Sequence, residues 1–219
     1  MNWLRAGVLG ANDGIVSTAG LVIGVAGATT SRGAVFTAGL AGVVAGAVSM
    51  ALGEYVSVSS ARDSERAQLA LEVRELTEAP DQELDELAGL YRAKGLSEAT
   101  ARQVAVELTQ HDPLLAHADA ELHIDPDDLT NPVHAAAASA IAFTLGAMLP
   151  LVAILVAPSS VRVLLTGAVV LVALGLAGAV SARLGGAPTR RAVTRLVVGG
   201  AAGLVATYWI GRLFGTAVG

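Results

Sequence analysis

Residues 33–53 read GAVFTAGLAGVVAGAVSMALG, an uncharged run of small and apolar residues. A transmembrane helix needs about 20 predominantly apolar residues, so this run is long enough to cross a bilayer. Four further uncharged runs stand at 14–31, 135–161, 163–182 and 196–211. The sequence therefore predicts an all-α membrane protein with five transmembrane helices.

The overall composition agrees with a membrane protein. Apolar residues make up 53% of the 219 residues, charged residues only 15%, and the mean hydropathy is +0.61. A soluble core of this size could not bury that much apolar surface. Because the chain has no cysteine, disulfides, thiolate metal sites and cysteine nucleophiles are excluded. No phosphate-binding loop or Ser–His–Asp arrangement indicates an enzyme, and a net charge of −5 gives no reason to expect nucleic acid.

The charges are concentrated in one third of the chain. Residues 60–131 carry 17 of the 19 acidic residues and a net charge of −11, whereas the remainder carries +6. We therefore predict three regions. Transmembrane helices 1 and 2 lie in 1–59, an acidic helical metal-binding insert in 60–131, and transmembrane helices 3 to 5 in 132–219.

Proline and glycine positions predict how the acidic segment folds. Between Glu54 and Ala79 there is neither residue, so one helix is predicted to run from the second span into the acidic segment. Beyond Ala79, four breaks at proline or glycine divide the segment into a bundle of three or four helices. The predicted N-caps are Ser97, Asp112 and Asp125, the last two followed by proline.

Arginine placement predicts the topology. The loop between the fourth and fifth spans carries Arg183, Arg190, Arg191 and Arg195, whereas the loops after the first and third spans carry one arginine each. Positive residues favour the cytoplasmic side, so this loop, the N-terminus with Arg5, and the acidic segment are predicted to be cytoplasmic. The arginine-rich composition and the lack of a transit-like N-terminus favour a bacterial plasma membrane.

Asp13 and Glu54 are the only carboxylates in or beside the spans. A charged Asp within the bilayer costs on the order of 3 kcal/mol, which favours a place beside a polar pathway. We predict that two seams of small or polar residues pack together, and that Asp13, Met50 and Glu54 line an ion pathway there. The alternatives are that the seams only allow close helix packing, that Met50 only fills apolar space, and that Glu54 only lies at the level of the lipid headgroups. The seams are Gly10, Asp13, Ser17, Gly20, Gly24 and Gly27 in the first span, and Gly42, Gly46, Met50 and Glu54 in the second.

Paired glutamates in the acidic segment indicate a metal site. Glu72 and Glu75 are three residues apart, and a second pair repeats that spacing, so like charges share a helix face and repel. A divalent cation would turn this repulsion into attraction, although a solvated acidic face is the simpler alternative. His117 and Glu121 stand four apart, a spacing that suits one ion. Carboxylates with one imidazole favour Fe²⁺, Mn²⁺ or Zn²⁺. The candidate ligands are Glu65, Glu72, Glu75, Glu83, Glu86, His117 and Glu121.

Three motifs together resemble the vacuolar iron transporter family. They are NDGIVS at 12–17, SMALGEYVS at 49–57 and RDSE at 62–65, the last followed by the paired glutamates. The resemblance covers nearly the whole chain, including the five-span layout with a helical insert after the second span. It implies a homodimeric, proton-coupled exporter of Fe²⁺ and often Mn²⁺, with its passage at the dimer interface.

Carried over by position, the resemblance implies transport roles for Asp13 and Met50. The chain departs from eukaryotic members of the family at two positions. They tend to have a Glu where this chain has Gly42, and Glu54 would then take over the role of that Glu. They have a Met near the last ligand, where this chain has His117. The His would shift the metal preference toward harder ions. The predicted function is Fe²⁺ or Mn²⁺ export by proton antiport, with no cofactor besides the transported ion. The alternative is a membrane-anchored metal buffer or sensor without transport. The metal ligands implied are Glu72, Glu75, Glu83, Glu86 and Glu121.

Overall fold

The computed structural model describes residues 2–218, with side chains from Gly7 to Gly215. The side chain of Arg5 thus lies outside the described residues. All regular structure in the described range is helical. The helices are α1 (Asn2–Ala28), α2 (Arg32–Glu78), α3 (Pro80–Ala93), α4 (Glu98–His111), α5 (Pro113–His117), α6 (Pro132–Val156), α7 (Arg162–Leu184) and α8 (Thr189–Val218), with a π-helical turn at Ala118–Leu122.

Five helices, α1, α2, α6, α7 and α8, are long and apolar enough to cross a membrane. The predicted fold class, an all-α protein with five transmembrane helices, is therefore confirmed. Helix α8 is longer than the run at 196–211 that predicted it, because it takes in polar residues at both ends. The cytoplasmic position of the acidic segment stays a prediction.

Helix α2 is continuous over 47 residues, as the absence of proline and glycine after Gly53 predicts. At 1.5 Å per residue it is roughly 70 Å long, more than twice the thickness of the hydrocarbon core. Its uncharged part ends at Gly53, so the membrane-spanning segment ends there and the charged part of α2 lies beyond it.

Contacts divide the chain into two compact units. The membrane unit comprises Met1–Tyr55 and Pro132–Gly219, and the acidic unit comprises Val56–Asn131. The sequence-based division was drawn at 59 and 131, within a few residues of these boundaries.

Helix α1 lies at the centre of the membrane unit, where it packs against α6, α7 and α8. A Cβ atom added to Gly14 would overlap the backbone of Phe143 in α6, and one added to Gly211 in α8 would overlap the backbone of Gly24. The seam glycines of α1 therefore face α6 and α8, so the predicted packing of the two seams is wrong for these glycines. Asp13 and Ser17 of the same seam do line one hollow with residues of the α2 seam. A small-residue seam indicates close packing, but its spacing does not specify the partner.

Helix α2 is held in the membrane unit by large side chains from its neighbours. Leu21 of α1 occupies the space beside Gly42, and the ring of Phe143 occupies the space beside Gly46. Val35 and Val43 of α2 are buried in the same apolar core as these contacts. Gly42 and Gly46 thus make room for these side chains. A hollow remains between α1, α2 and α6.

Two arginines, each at the start of a helix, connect the α1–α2 hairpin of the membrane unit with its α6–α7 hairpin. Arg162, only 3% exposed, donates to the carbonyl oxygens of Thr29 at 2.7 Å and Thr30 at 3.2 Å, just after α1. Arg32, at the start of α2, donates to the carbonyl oxygen of Ala157 at 3.2 Å, just after α6. The last carbonyls of a helix have no partner within it, and cations stabilise this end. Arg162 of the α6–α7 hairpin therefore caps the C-terminal end of α1, and Arg32 of the α1–α2 hairpin caps the C-terminal end of α6.

The acidic unit has its own small core, which includes Leu87, Ala105 and Ala116. Two predicted N-caps are confirmed, because Ser97 Oγ accepts from the Thr100 N–H at 3.3 Å and Asp112 Oδ1 accepts from the Leu115 N–H at 2.9 Å.

The third predicted N-cap, Asp125, is wrong. Residues 123–131 contain no helix, and Asp125 Oδ1 accepts instead from the Asp127 N–H at 3.0 Å. An Asp side chain that bonds two residues on makes a local turn, and from sequence this turn is not distinguishable from a cap.

Candidate metal centre and membrane pocket

The acidic unit places one histidine among three carboxylates. His117 Nδ1 lies 2.9 Å from Glu72 Oε1, 3.6 Å from Glu121 Oε2 and 3.7 Å from Glu83 Oε2. Ligand atoms about 2.0–2.2 Å from one metal ion are about 3–4 Å from one another, so these distances fit a single ion. We call these four residues the carboxylate–histidine cluster.

The cluster is assembled from three parts of the acidic unit. Glu72 comes from α2, Glu83 from α3, and His117 ends α5 next to the π-helical turn that carries Glu121. This turn ends at Leu122 and is followed by His123, which has a φ of 55°. π-Helical turns are rare and often occur at functional sites, which agrees with a ligand-bearing segment here.

The cluster is shielded from water. The His117 side chain is fully buried, those of Glu72 and Glu83 nearly so, and that of Glu121 is about one-third exposed. A ligand atom of Glu72, of Glu83 and of His117 all lie within 4.8 Å of one another. A buried set of acceptors with so little solvent requires either protons or a cation to compensate its charge.

Burial raises the pKa of both Glu72 and Glu83 above the usual carboxylate range. Loss of hydration is the largest cause in each, and neighbouring carboxylates raise the pKa further, whereas His117 lowers it. Both groups lie beyond the membrane-spanning segment of α2. The site thus disfavours its own ionised form when empty, and a divalent cation would reverse that preference.

The other predicted ligands have no carboxylate oxygen within 4.0 Å of a His117 ring nitrogen. Glu75 is half-buried and Glu86 exposed, and each raises the pKa of Glu83 through charge repulsion. Neither belongs to the group within 4.8 Å. Glu65 is half-buried, and no contact joins it to the cluster within the described part of the chain. The structure therefore gathers four of the seven predicted ligands.

Asp13 and Met50 line one hollow between α1, α2 and α6 in the membrane unit, with a volume of about 180 Å³. No cationic side chain among residues 7–215 pairs with Asp13. Its side chain is exposed at the surface of the single chain, where the hollow opens. The lining residues are Asp13, Ser17, Thr18, Leu21, Gly42, Gly46, Ser49, Met50 and Phe143.

Glu54 does not line this hollow. It is half-buried one helical turn beyond Met50, so the structure brings together only two of the three predicted pathway residues. Sequence reasoning missed Thr18 and Ser49 as lining residues. No pattern distinguishes Thr18 from other small residues of a span, and the only signal for Ser49 was its place in the motif at 49–57. A side chain at Gly42 would overlap Leu21, so this chain has no room for a Glu there unless Leu21 moves.

Comparison with known proteins gives consistent matches over both units. A sequence model of the VIT family matches residues 4–212. The "Vacuolar iron transporter" of Acanthamoeba castellanii is 42% identical over 213 residues, which cover 96% of this chain and 78% of that protein. "Vacuolar iron transporter homolog 1" of Oryza sativa subsp. japonica is 37% identical, covering 97% and 74%. "Vacuolar iron transporter homolog 3" of Arabidopsis thaliana is 37% identical, covering 98% and 84%.

Proposed function

Because the chain belongs to the VIT family, we propose that it exports Fe²⁺ or Mn²⁺ from the cytoplasm in exchange for protons. Its relatives are named vacuolar iron transporters, and this supports metal-ion transport across a membrane rather than an enzymatic reaction. The choice of ion, the direction and the exchange for protons are our proposal.

The hollow that contains Asp13 and Met50 is the observation that carries the proposal. An unpaired carboxylate within a span is costly and marks ion or proton pathways in membrane proteins. Here Asp13 is grouped with three hydroxyl side chains and a thioether, which together offer hard and soft donors to a transition-metal ion. Because a carboxylate binds either a metal ion or a proton, Asp13 can exchange one for the other.

The carboxylate–histidine cluster supports a separate loading step. Its three carboxylates and one imidazole suit Fe²⁺, Mn²⁺ and Zn²⁺, which are cargo in this proposal, better than Cu⁺. Protons compete with metal at all four groups, so loading weakens as the pH falls. By the same competition, an acidic compartment on the far side of the membrane favours release from Asp13.

A homodimer is the assembly that we propose. Asp13, Ser17 and Leu21 are exposed on one face of α1 in the single chain, and a second copy would cover the open side of the hollow. We further propose a bacterial plasma membrane, with the acidic unit and the arginine-rich loop between α7 and α8 in the cytoplasm.

Metal flux into liposomes that contain the full-length protein tests the proposal. Fe²⁺, Mn²⁺ and Zn²⁺ would be compared side by side, with a trapped pH indicator to detect proton exchange. We expect Asp13→Asn to reduce flux by roughly 100-fold or more, the scale on which lost charge interactions at functional sites act. The matched control is Asp63→Asn, which changes an exposed Asp outside both sites. Parental flux in Asp13→Asn would refute the proposal.

A membrane-anchored metal buffer or sensor is the second candidate function. The carboxylate–histidine cluster favours it, because the cluster lies within a unit that has its own core. This candidate predicts metal binding to the acidic unit with no flux in the same liposomes, and it assigns no role to Asp13.

A further inference from the structure

The loop between α7 and α8 gathers arginines at the ends of two membrane helices. Arg183 lies in the last turn of α7, and Arg190, Arg191 and Arg195 lie in the first two turns of α8. All four are exposed. The uncharged runs end at residue 182 and resume at 196, so these guanidinium groups stand where the apolar segments meet water. Lipid phosphates occupy this depth.

These arginines have no carboxylate partner among the residues whose side chains the structure describes. In the part of the chain whose side chains are described, no ion pair involves any of the four. The membrane unit contains only two acidic residues, Asp13 and Glu54, and neither contacts this loop. The basic patch is therefore electrostatically open to an external anion.

The start of α8 adds to the unfavourable charge. Arg190 and Arg191 stand in its first turn, which has no acidic residue. The N-terminal end of a helix carries partial positive charge, so cations there are unfavourable and anions favourable. An anion bound beside this first turn would compensate both the arginines and the positive end of the helix.

We propose that this patch binds the headgroup phosphates of anionic phospholipids. Arg190, Arg191 and Arg195 line one open surface hollow of about 720 Å³ together with Ala187, Pro188 and Thr194. Guanidinium groups bind phosphate oxygens through paired hydrogen bonds, and clusters of basic residues beside the end of a transmembrane helix recognise anionic lipids. The patch thus anchors the α7–α8 hairpin to one leaflet.

A site-specific fluorescent probe tests this proposal in the full-length protein. The chain has no cysteine, so Ala187→Cys introduces one thiol, beside the hollow, for an environment-sensitive dye. The labelled protein, solubilised in detergent, would be titrated with mixed micelles of that detergent and phosphatidylglycerol or phosphatidylcholine, and separately with inorganic phosphate. The same dye at Ser159→Cys, an exposed position in the loop between α6 and α7, reports any general effect of the micelles.

The test variant is Arg190→Gln, Arg191→Gln and Arg195→Gln combined. Its matched control removes three exposed arginines of the acidic unit, Arg66, Arg74 and Arg92, also by change to Gln. A basic residue near an anionic lipid surface contributes a factor of roughly five to binding. If the three contributions add, the test variant should lose roughly 100-fold in affinity for phosphatidylglycerol.

We expect a dye response to phosphatidylglycerol that rising salt weakens, that the test variant loses, and that the control variant keeps. Equal responses to the two lipids would overturn the proposal. So would saturation by millimolar inorganic phosphate, because a site for a free anion would then explain the patch. Should the test variant fail to fold, the parental comparison of the two lipids and phosphate still decides the outcome.

Discussion

Replacing Glu83 by Gln should change the stability of the acidic unit in opposite directions with and without metal. The side chain is buried within the carboxylate–histidine cluster, and burial raises its pKa. In the metal-free protein at neutral pH, the substitution removes a carboxylate that is disfavoured in its ionised form. The metal-free variant should therefore be at least as stable as the parent. With metal, the same substitution removes one of four charged or imidazole ligands.

The metal-bound effect follows from binding linkage. At a Mn²⁺ concentration 100 times the dissociation constant, binding stabilises the folded unit by about 2.7 kcal/mol. Even residues that only support metal ligands contribute roughly 10- to 100-fold to affinity, so loss of a direct ligand should weaken binding by roughly 100-fold. At the same Mn²⁺ concentration the stabilisation then falls to about 0.4 kcal/mol.

Hydrogen exchange of the full-length protein, followed in peptides from Val56–Asn131, measures this difference. Mn²⁺ should slow exchange at the core amides roughly 100-fold in the parent and roughly twofold in Glu83→Gln. Glu78→Gln is the matched control, since Glu78 is exposed and is not a candidate ligand, and it should respond like the parent. Full metal-induced protection in Glu83→Gln would refute the reasoning, as would a clear loss of stability in the metal-free variant.

Three further predictions concern pH and the membrane unit. Because burial raises the pKa of Glu72 and Glu83, their contribution to metal-free stability is full below the ordinary carboxylate pKa and is lost as the pH rises through the raised values. Exchange in the metal-free acidic unit should therefore slow as the pH falls from 7 toward about 5, after correction for intrinsic rates. Arg162→Met should cost about 2–4 kcal/mol in unfolding of the solubilised protein, through two lost hydrogen bonds from a buried cation, whereas the exposed Arg183→Lys should cost under about 0.5 kcal/mol. Gly46→Ala should reduce metal flux, because the new Cβ would overlap the Phe143 ring, and adding Phe143→Leu should restore part of it; an unchanged flux in Gly46→Ala would contradict the proposed role of the hollow.

The membrane spans and the long α2 helix could be predicted because their causes are local. Twenty apolar residues without charge specify a span, and the absence of proline and glycine after Gly53 lets α2 continue into the acidic unit. The caps at Ser97 and Asp112 follow from side chains that each accept from the backbone N–H three residues further along the chain. Asp125 shows the limit of such signals, since the same Asp–Pro pair starts a turn rather than a helix there.

The candidate sites could be predicted only in part. Asp13 could be predicted because a carboxylate within a span is energetically costly and is retained where it has a function. Glu121 could be predicted because it stands four residues after His117, a spacing that brings the two side chains together. That Glu83 is buried and Glu86 exposed could not be predicted, since they are the two members of one pair and their spacing does not say which of them faces the core. Thr18 had no distinguishing pattern, and Ser49 stood out only as the first residue of the motif at 49–57.

The sequence by itself determined which segments are helical, which of them suit a bilayer, and that one acidic segment differs from the rest, because hydrophobic length, helix breakers and charge act along the chain. Only the tertiary structure decided that the glycines of α1 face α6 and α8, that Leu21 and Phe143 occupy the space beside the glycines of α2, and that His117 meets Glu72 and Glu83. These contacts join residues far apart in sequence. Their partners depend on how helices pack around one another, and a repeat along one helix does not specify its neighbours.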